Sequence, residues 1–155
     1  VAPSGRGIFY TIFPLRWRLA PKRTLMAESQ SVAKAFFTAT AAGDIDTLRS
    51  ICSSNFIGTQ NGGAKMNIDA LAGFTKAVLK RVANFRYENC VVTNSDAGFI
   101  EEHDVVADLP DGTTFRLPVC VVAEVSHGKV SNMREYFDSR AADGLLSLMT
   151  QQKNR

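Results

Sequence analysis

The feature that most constrains this chain is a change of period near Asn84. Before it, apolar residues recur at helical spacing; after it, polar and apolar residues alternate as far as Asp138. From 27 to 40 the residues Val32, Ala35, Phe36 and Ala39 share a helical face, and Gly43 ends that stretch. Asp44 is a natural N-cap for a short second helix reaching Cys52. A short strand is expected from Asn55 to Gln60, then a glycine-containing loop. A third helix starts at Asn67 or Asp69, with Leu71, Phe74, Val78 and Val82 on one face. Strands are expected near 85–94, 98–109, 113–125 and 129–138. The turns fall at Asn94-Ser95-Asp96, Pro110-Asp111-Gly112 and His127-Gly128, and a closing helix spans 141–150. Helices first and an antiparallel meander afterwards is the α+β order.

The 155 residues suit one domain with a hydrophobic core. No apolar run is long enough for a membrane span. The net charge of +3 is unevenly placed. Arg6, Arg16, Arg18, Lys22 and Arg23 give residues 1–25 a charge of +5, leaving the rest at −2. That mildly acidic body offers no electrostatic attraction for nucleic acid. The basic, proline-broken leader 1–25 is expected to add little to the fold, and 26–155 to form the domain. Cys52, Cys90 and Cys120 are an odd set without metal-ligand spacing, which fits reduced thiols and a cytoplasmic location. The chain has no phosphate-binding glycine loop, nucleophile elbow or zinc-binding helix motif, so no cofactor and no metal are expected.

Two segments, AFFTATAAGDIDTLRSIC and HGKVSNMREYFDSR, resemble the opening helix pair and last strand of SnoaL-like polyketide cyclases. These belong to the nuclear-transport-factor-2-like (cystatin-like) class. The stretch EEHDVVADLPDGTTFRLPVCVVAEVSHGKVSNMREYFD is similar, without a gap, to limonene-epoxide hydrolases. The resemblance covers roughly 26–149. It implies N-terminal helices packed on a strongly curved antiparallel sheet that forms a cone-shaped pocket. It also implies a homodimer through the outer sheet face, where Val105, Cys120 and Val122 would lie beside Arg116 and Arg134. Those hydrolases use an Asp-Arg-Asp triad with a Tyr and an Asn. Laid on this chain, the triad positions become Asp104, Glu102 and Glu135, and Gln60 is the residue able to replace the amide. The arginine and the tyrosine are absent.

Strand geometry gives the same residues independent weight. With Asp111-Gly112 as a two-residue turn, Val106 faces Leu117, Asp104 faces Val119 and Glu102 faces Val121, all on one face. His103 and Cys120 would then share the opposite face. A three-residue loop at Ser126-His127-Gly128 would bring Glu135 inward opposite Val119; a two-residue turn would send it outward. The expected catalytic residues are Asp104, Glu135 and Glu102. Phe56, Gln60, Met66, Phe74, Val78, Phe85, Val106, Leu117, Val119 and Phe137 are expected to line the pocket. Crowded pocket carboxyls raise one another's pKa, leaving one protonated beside one ionised, as proton transfer requires. The functional expectation is isomerisation, cyclisation or dehydration of a small apolar molecule of polyketide, terpenoid or steroid type. A ligand-binding or dimerisation module and an epoxide hydrolase with an altered triad are the alternatives.

Overall fold

A computed structural model describes residues 22–150; most of the leader, residues 1–21, lies outside the described residues. Helix α1 (Lys22–Ala42) is followed by α2 (Ile45–Ile51), capped by Asp44, whose carboxylate accepts from the Thr47 amide at 3.0 Å. Strand β1 (Cys52–Gln60) leads through a loop to α3 (Ile68–Leu79), where the Asn67 side chain caps by accepting from the Ala70 amide. Four long strands follow: β2 (Ala83–Ser95), β3 (Gly98–Asp108), β4 (Thr114–Ser126) and β5 (Lys129–Phe137). Helix α4 (Asp143–Thr150) closes the described chain. No described helix is long and apolar enough to cross a membrane.

The strands form one sheet in the order β1-β5-β4-β3-β2. The meander β2 to β5 is antiparallel, but β1 pairs with β5 in parallel. This corrects the expected antiparallel, cone-forming sheet: the sheet is mixed and open, with β1 and β2 as separate edges, and does not curl into a cone. Alternation in sequence identifies a strand but not its partner, and the β1–β5 pairing joins segments more than seventy residues apart, Gln60 to Glu135. The pocket is therefore closed by helices rather than by sheet curvature. Helices α1, α3 and α4 contribute to the wall facing the sheet.

Two hairpins decide which side chains face that wall. The β3–β4 connection is a three-residue loop, Pro110-Asp111-Gly112, closed by the Leu109 amide donating to the Thr113 carbonyl at 2.8 Å. Gly112 takes the left-handed conformation this loop type requires, at φ 84°. A two-residue Asp-Gly turn would need Pro110 to donate a backbone hydrogen bond to Thr113, and proline has no N–H. Asp104 consequently pairs with Pro118 and Glu102 with Cys120, one residue away from the expected register.

The β4–β5 connection is a two-residue turn, with His127 and Gly128 both at positive φ (52° and 70°). The register then slips: Val125 pairs with Val130, but Glu124 pairs with Asn132, so Ser131 is an extra residue. This bulge has the effect expected of a longer loop. Glu135 faces inward, opposite Val121 instead of Val119, and Phe137 lies opposite Val119.

At the start of β3, the approach to β4 is packed without slack. A Cβ added at Gly98 would lie 2.3 Å from the Ala123 carbonyl oxygen and 2.9 Å from the Val125 nitrogen. Gly98→Ala is expected to lower stability by roughly 1–3 kcal/mol, the usual cost of overpacking, read from the shift in denaturant midpoint. An unchanged midpoint would contradict this close β3–β4 contact.

Candidate functional site

On the inner face, Gln60, Glu135, Val121 and Glu101 stand in one row across β1, β5, β4 and β3. The neighbouring row carries His103, Val119 and Phe137. In front of these rows is a cavity of about 100 Å³, walled mainly by Phe36, Phe37, Leu71, Phe74, Val78, Phe85, Tyr87, Leu117, Met133, Phe137 and Leu145. By the same measure one water needs roughly 10–15 Å³, so the space suits a compact molecule. Its polar groups are few. They include Glu135, Gln60, Tyr87, Thr40 and Thr75.

Glu135 is the carboxyl in this cavity. Gln60 Nε2 donates to its Oε2 at 2.6 Å. Burial among apolar side chains pushes the Glu135 pKa above the ordinary carboxyl value; the Gln60 hydrogen bond and the attraction of His103 oppose this without cancelling it. Burial likewise pushes the Tyr87 phenol upward, reinforced by the charges of Glu135 and Glu101. The cavity thus favours uncharged, proton-bearing forms of its own acids.

The raised Glu135 value fixes the sign of a stability effect. Between the unfolded value near 4.5 and the raised folded value, the native state holds more protons than the unfolded state. Stability attributable to Glu135 therefore falls as pH rises through that window. Glu135→Gln removes this loss, so the variant gains on the wild type above the unfolded value. The gain is about 1.4 kcal/mol for each pH unit separating the folded and unfolded midpoints. Chemical denaturation across a pH series reads the difference. A constant difference at all pH values would refute the raised value.

The other expected catalytic residues lie elsewhere. Asp104 is on the opposite face of the sheet because of the register set by Pro110. Its Oδ2 accepts from Asn89 Nδ2 at 2.8 Å and from Arg116 Nη1 at 2.7 Å. Those two bonds, Asn89 first, hold its pKa below the usual carboxylate range. Arg116 also bridges to Glu88, so Asp104 belongs to an ion-pair network on the outer surface. Glu102 is exposed on that same face, opposite Cys120. Neither reaches the cavity.

Of the expected lining, Gln60, Phe74, Val78, Phe85, Leu117, Val119 and Phe137 do line the cavity. Val106 does not; it is fully buried on the other side of β3 by the same one-residue shift. Phe56 is core, packed beneath Gly58, and Met66 bridges to Gly58 by backbone hydrogen bonds. Val105, expected on the outer face, points into the cavity.

The corrected parity brings in two polar residues that sequence spacing placed otherwise or passed over. His103, expected on the outer face with Cys120, is on the inner face and only 4% exposed. Glu101 is 2% exposed beside it. The signal was available in Pro110, whose missing amide excludes the two-residue turn.

Comparison with known proteins agrees with the architecture. Residues 33–133 match the model of the SnoaL-like domain. A structure of an M. tuberculosis LEH-like epoxide hydrolase is 20% identical, with a TM-score of 0.64 over 82% of this chain and 98% of that one. PrhC from Penicillium brasilianum is 13% identical, with a TM-score of 0.70 over 83% and 92%. A protein of ketosteroid isomerase-like fold from Catenulispora acidiphila, solved with trimethylamine, is 12% identical, with a TM-score of 0.63 over 76% and 91%. At these identities the likeness establishes the fold. No curated protein matches the sequence.

Proposed function

The chain belongs to the SnoaL-like family, and from that premise we propose that it is a cofactor-independent enzyme that moves a proton within a compact, largely apolar molecule, with Glu135 as its acid–base group. The observation that carries the reading is the Glu135–Gln60 pair: a carboxyl with a raised pKa, held by a neutral donor, at an apolar cavity. A protonated carboxyl can give its proton to a substrate oxygen as charge develops there. The carboxylate it becomes can then take a proton from carbon, which restores the acid; in a dehydration the proton first given leaves with the hydroxyl as water. Isomerisation, cyclisation and dehydration all follow this pattern. Gln60 fixes the carboxyl's orientation, and the aromatic and aliphatic walls keep water from competing.

The cavity volume narrows the substrate range set by sequence. About 100 Å³ favours a molecule of monocyclic terpenoid or short ketone size over a steroid or a long polyketide. Epoxide hydrolysis is less favoured, because no arginine lines the cavity among the described residues. The test is a panel of small enones, hydroxyketones and epoxides assayed for turnover and, separately, for binding. Turnover of an enone or hydroxyketone with a pH–rate limb that disappears in Glu135→Gln supports the reading. Tight binding across the panel with no turnover would instead identify a binding module.

A further inference from the structure

Glu101 and His103 are buried on the cavity side of β3, and the reaction above leaves them unused. His103 Nδ1 lies 3.3 Å from Glu101 Oε2. The two atoms are within ion-pair range but not aligned as a hydrogen bond, and neither ring nitrogen of His103 has a hydrogen-bond partner among the described residues. The imidazole is flanked by the rings of Tyr87, at 4.5 Å between centroids, and Phe37, at 5.1 Å. Glu101 pairs with Val121, and Val121 with Glu135. The two glutamates therefore stand two strands apart, about 9–10 Å between backbones. His103 attracts both carboxylates, and burial disfavours the charge on each.

Strand β2 brings Tyr87 and Cys90, while Lys34 of α1 and Arg86 of β2 border the hollow that reaches Glu101 from the α1 side. Opposite Glu101 and His103, β4 presents only Val121 and Val119. Asp104 faces away and is neutralised by Arg116. Among the described residues the inner layer thus holds two carboxyls, one imidazole and the neutral Tyr87 phenol.

We propose that Glu101 is a positioning residue that keeps Glu135 in its proton-donating form by holding the imidazolium of His103 as its own partner. One cation in an apolar layer balances one carboxylate, and a second carboxylate there would be uncompensated. Glu101 is in direct contact with His103 and takes the charge. Glu135, whose partner is the uncharged Gln60, keeps its proton. The inference rests on Glu135 being the acid of the reaction above.

The test follows the carboxyl signals of isotope-labelled glutamates and the ring nitrogens of labelled histidine by nuclear magnetic resonance, in the full chain, without substrate. In the wild type at neutral pH, Glu101 is expected ionised, Glu135 protonated and both nitrogens of His103 protonated. In Glu101→Gln the imidazolium is left with Glu135 as the remaining carboxyl of the layer, and the Glu135 midpoint falls by about one pH unit. In His103→Asn, Glu101 loses its cation and its midpoint rises while Glu135 stays protonated. An unchanged Glu135 midpoint in Glu101→Gln overturns the proposal. So does a wild type with Glu101 protonated and Glu135 ionised, a result that needs no variant to fold. Failure of the enzymatic reading is distinct, because it appears as turnover that survives Glu135→Gln, whereas this titration needs no substrate.

Discussion

Glu135→Gln lowers turnover by roughly two to four orders of magnitude, the usual contribution of a positioned acid–base group. The amide keeps the shape of the carboxyl and can still bond to Gln60, so the cavity wall is preserved. Binding of an apolar ligand is expected to survive, since a neutral amide replaces the carboxyl that the ligand must desolvate. The matching control is Asp104→Asn, which changes turnover by no more than a few-fold, because Asp104 lies on the far face with Arg116 and Asn89. The two variants separate the structural reading from the one that sequence spacing suggested. Loss of activity in Asp104→Asn with full activity in Glu135→Gln would reverse the assignment. Measuring kcat and KM for both, on whichever compound of the panel is turned over, decides it.

Phe99→Ala is expected to cost about 3–5 kcal/mol, among the largest losses from a single truncation in this chain. Phe99 is 1% exposed at the start of β3 and packs edge-on against Phe37, with ring centroids 6.4 Å apart. Phe37 in turn touches Phe36, Tyr87 and His103. Removing the Phe99 ring leaves a void beneath α1 that this aromatic group cannot fill without moving. Equilibrium denaturation reads the loss. A cost below about 1 kcal/mol would mean that the site collapses freely, against the close packing described.

The elements were legible in the sequence because each depends on local chemistry. The caps at Asp44 and Asn67, the helical faces of α1 and α3, and the alternation after Asn84 all specify structure within a few residues. Facing was harder, because it depends on single-residue events. Pro110 converts the expected two-residue turn into a three-residue loop, and that shift exchanges Glu102, Asp104 and Val106 for Glu101, His103 and Val105 on the cavity side. Residues 105–107 are all buried, so β3 gives no clean alternation to correct the error. The facing of Glu135 turns on the loop at His127-Gly128, which local pattern leaves open between two and three residues; the chain uses the two-residue turn, and a bulge at Ser131 restores the inward face. The parallel β1–β5 pairing left no trace in local pattern, yet it is what brings Gln60 to Glu135.

The most direct test of proton transfer at Glu135 is exchange of carbon-bound hydrogen in heavy water. A compact cyclic ketone or enone is incubated with the protein, and deuterium incorporation beside the carbonyl is followed by nuclear magnetic resonance. Proton transfer by Glu135 predicts incorporation well above the buffer rate with the wild type, slowed by roughly two to four orders of magnitude in Glu135→Gln while the ligand still binds. Equal incorporation by wild type and Glu135→Gln, with the ligand shown to occupy the cavity in both, would contradict it.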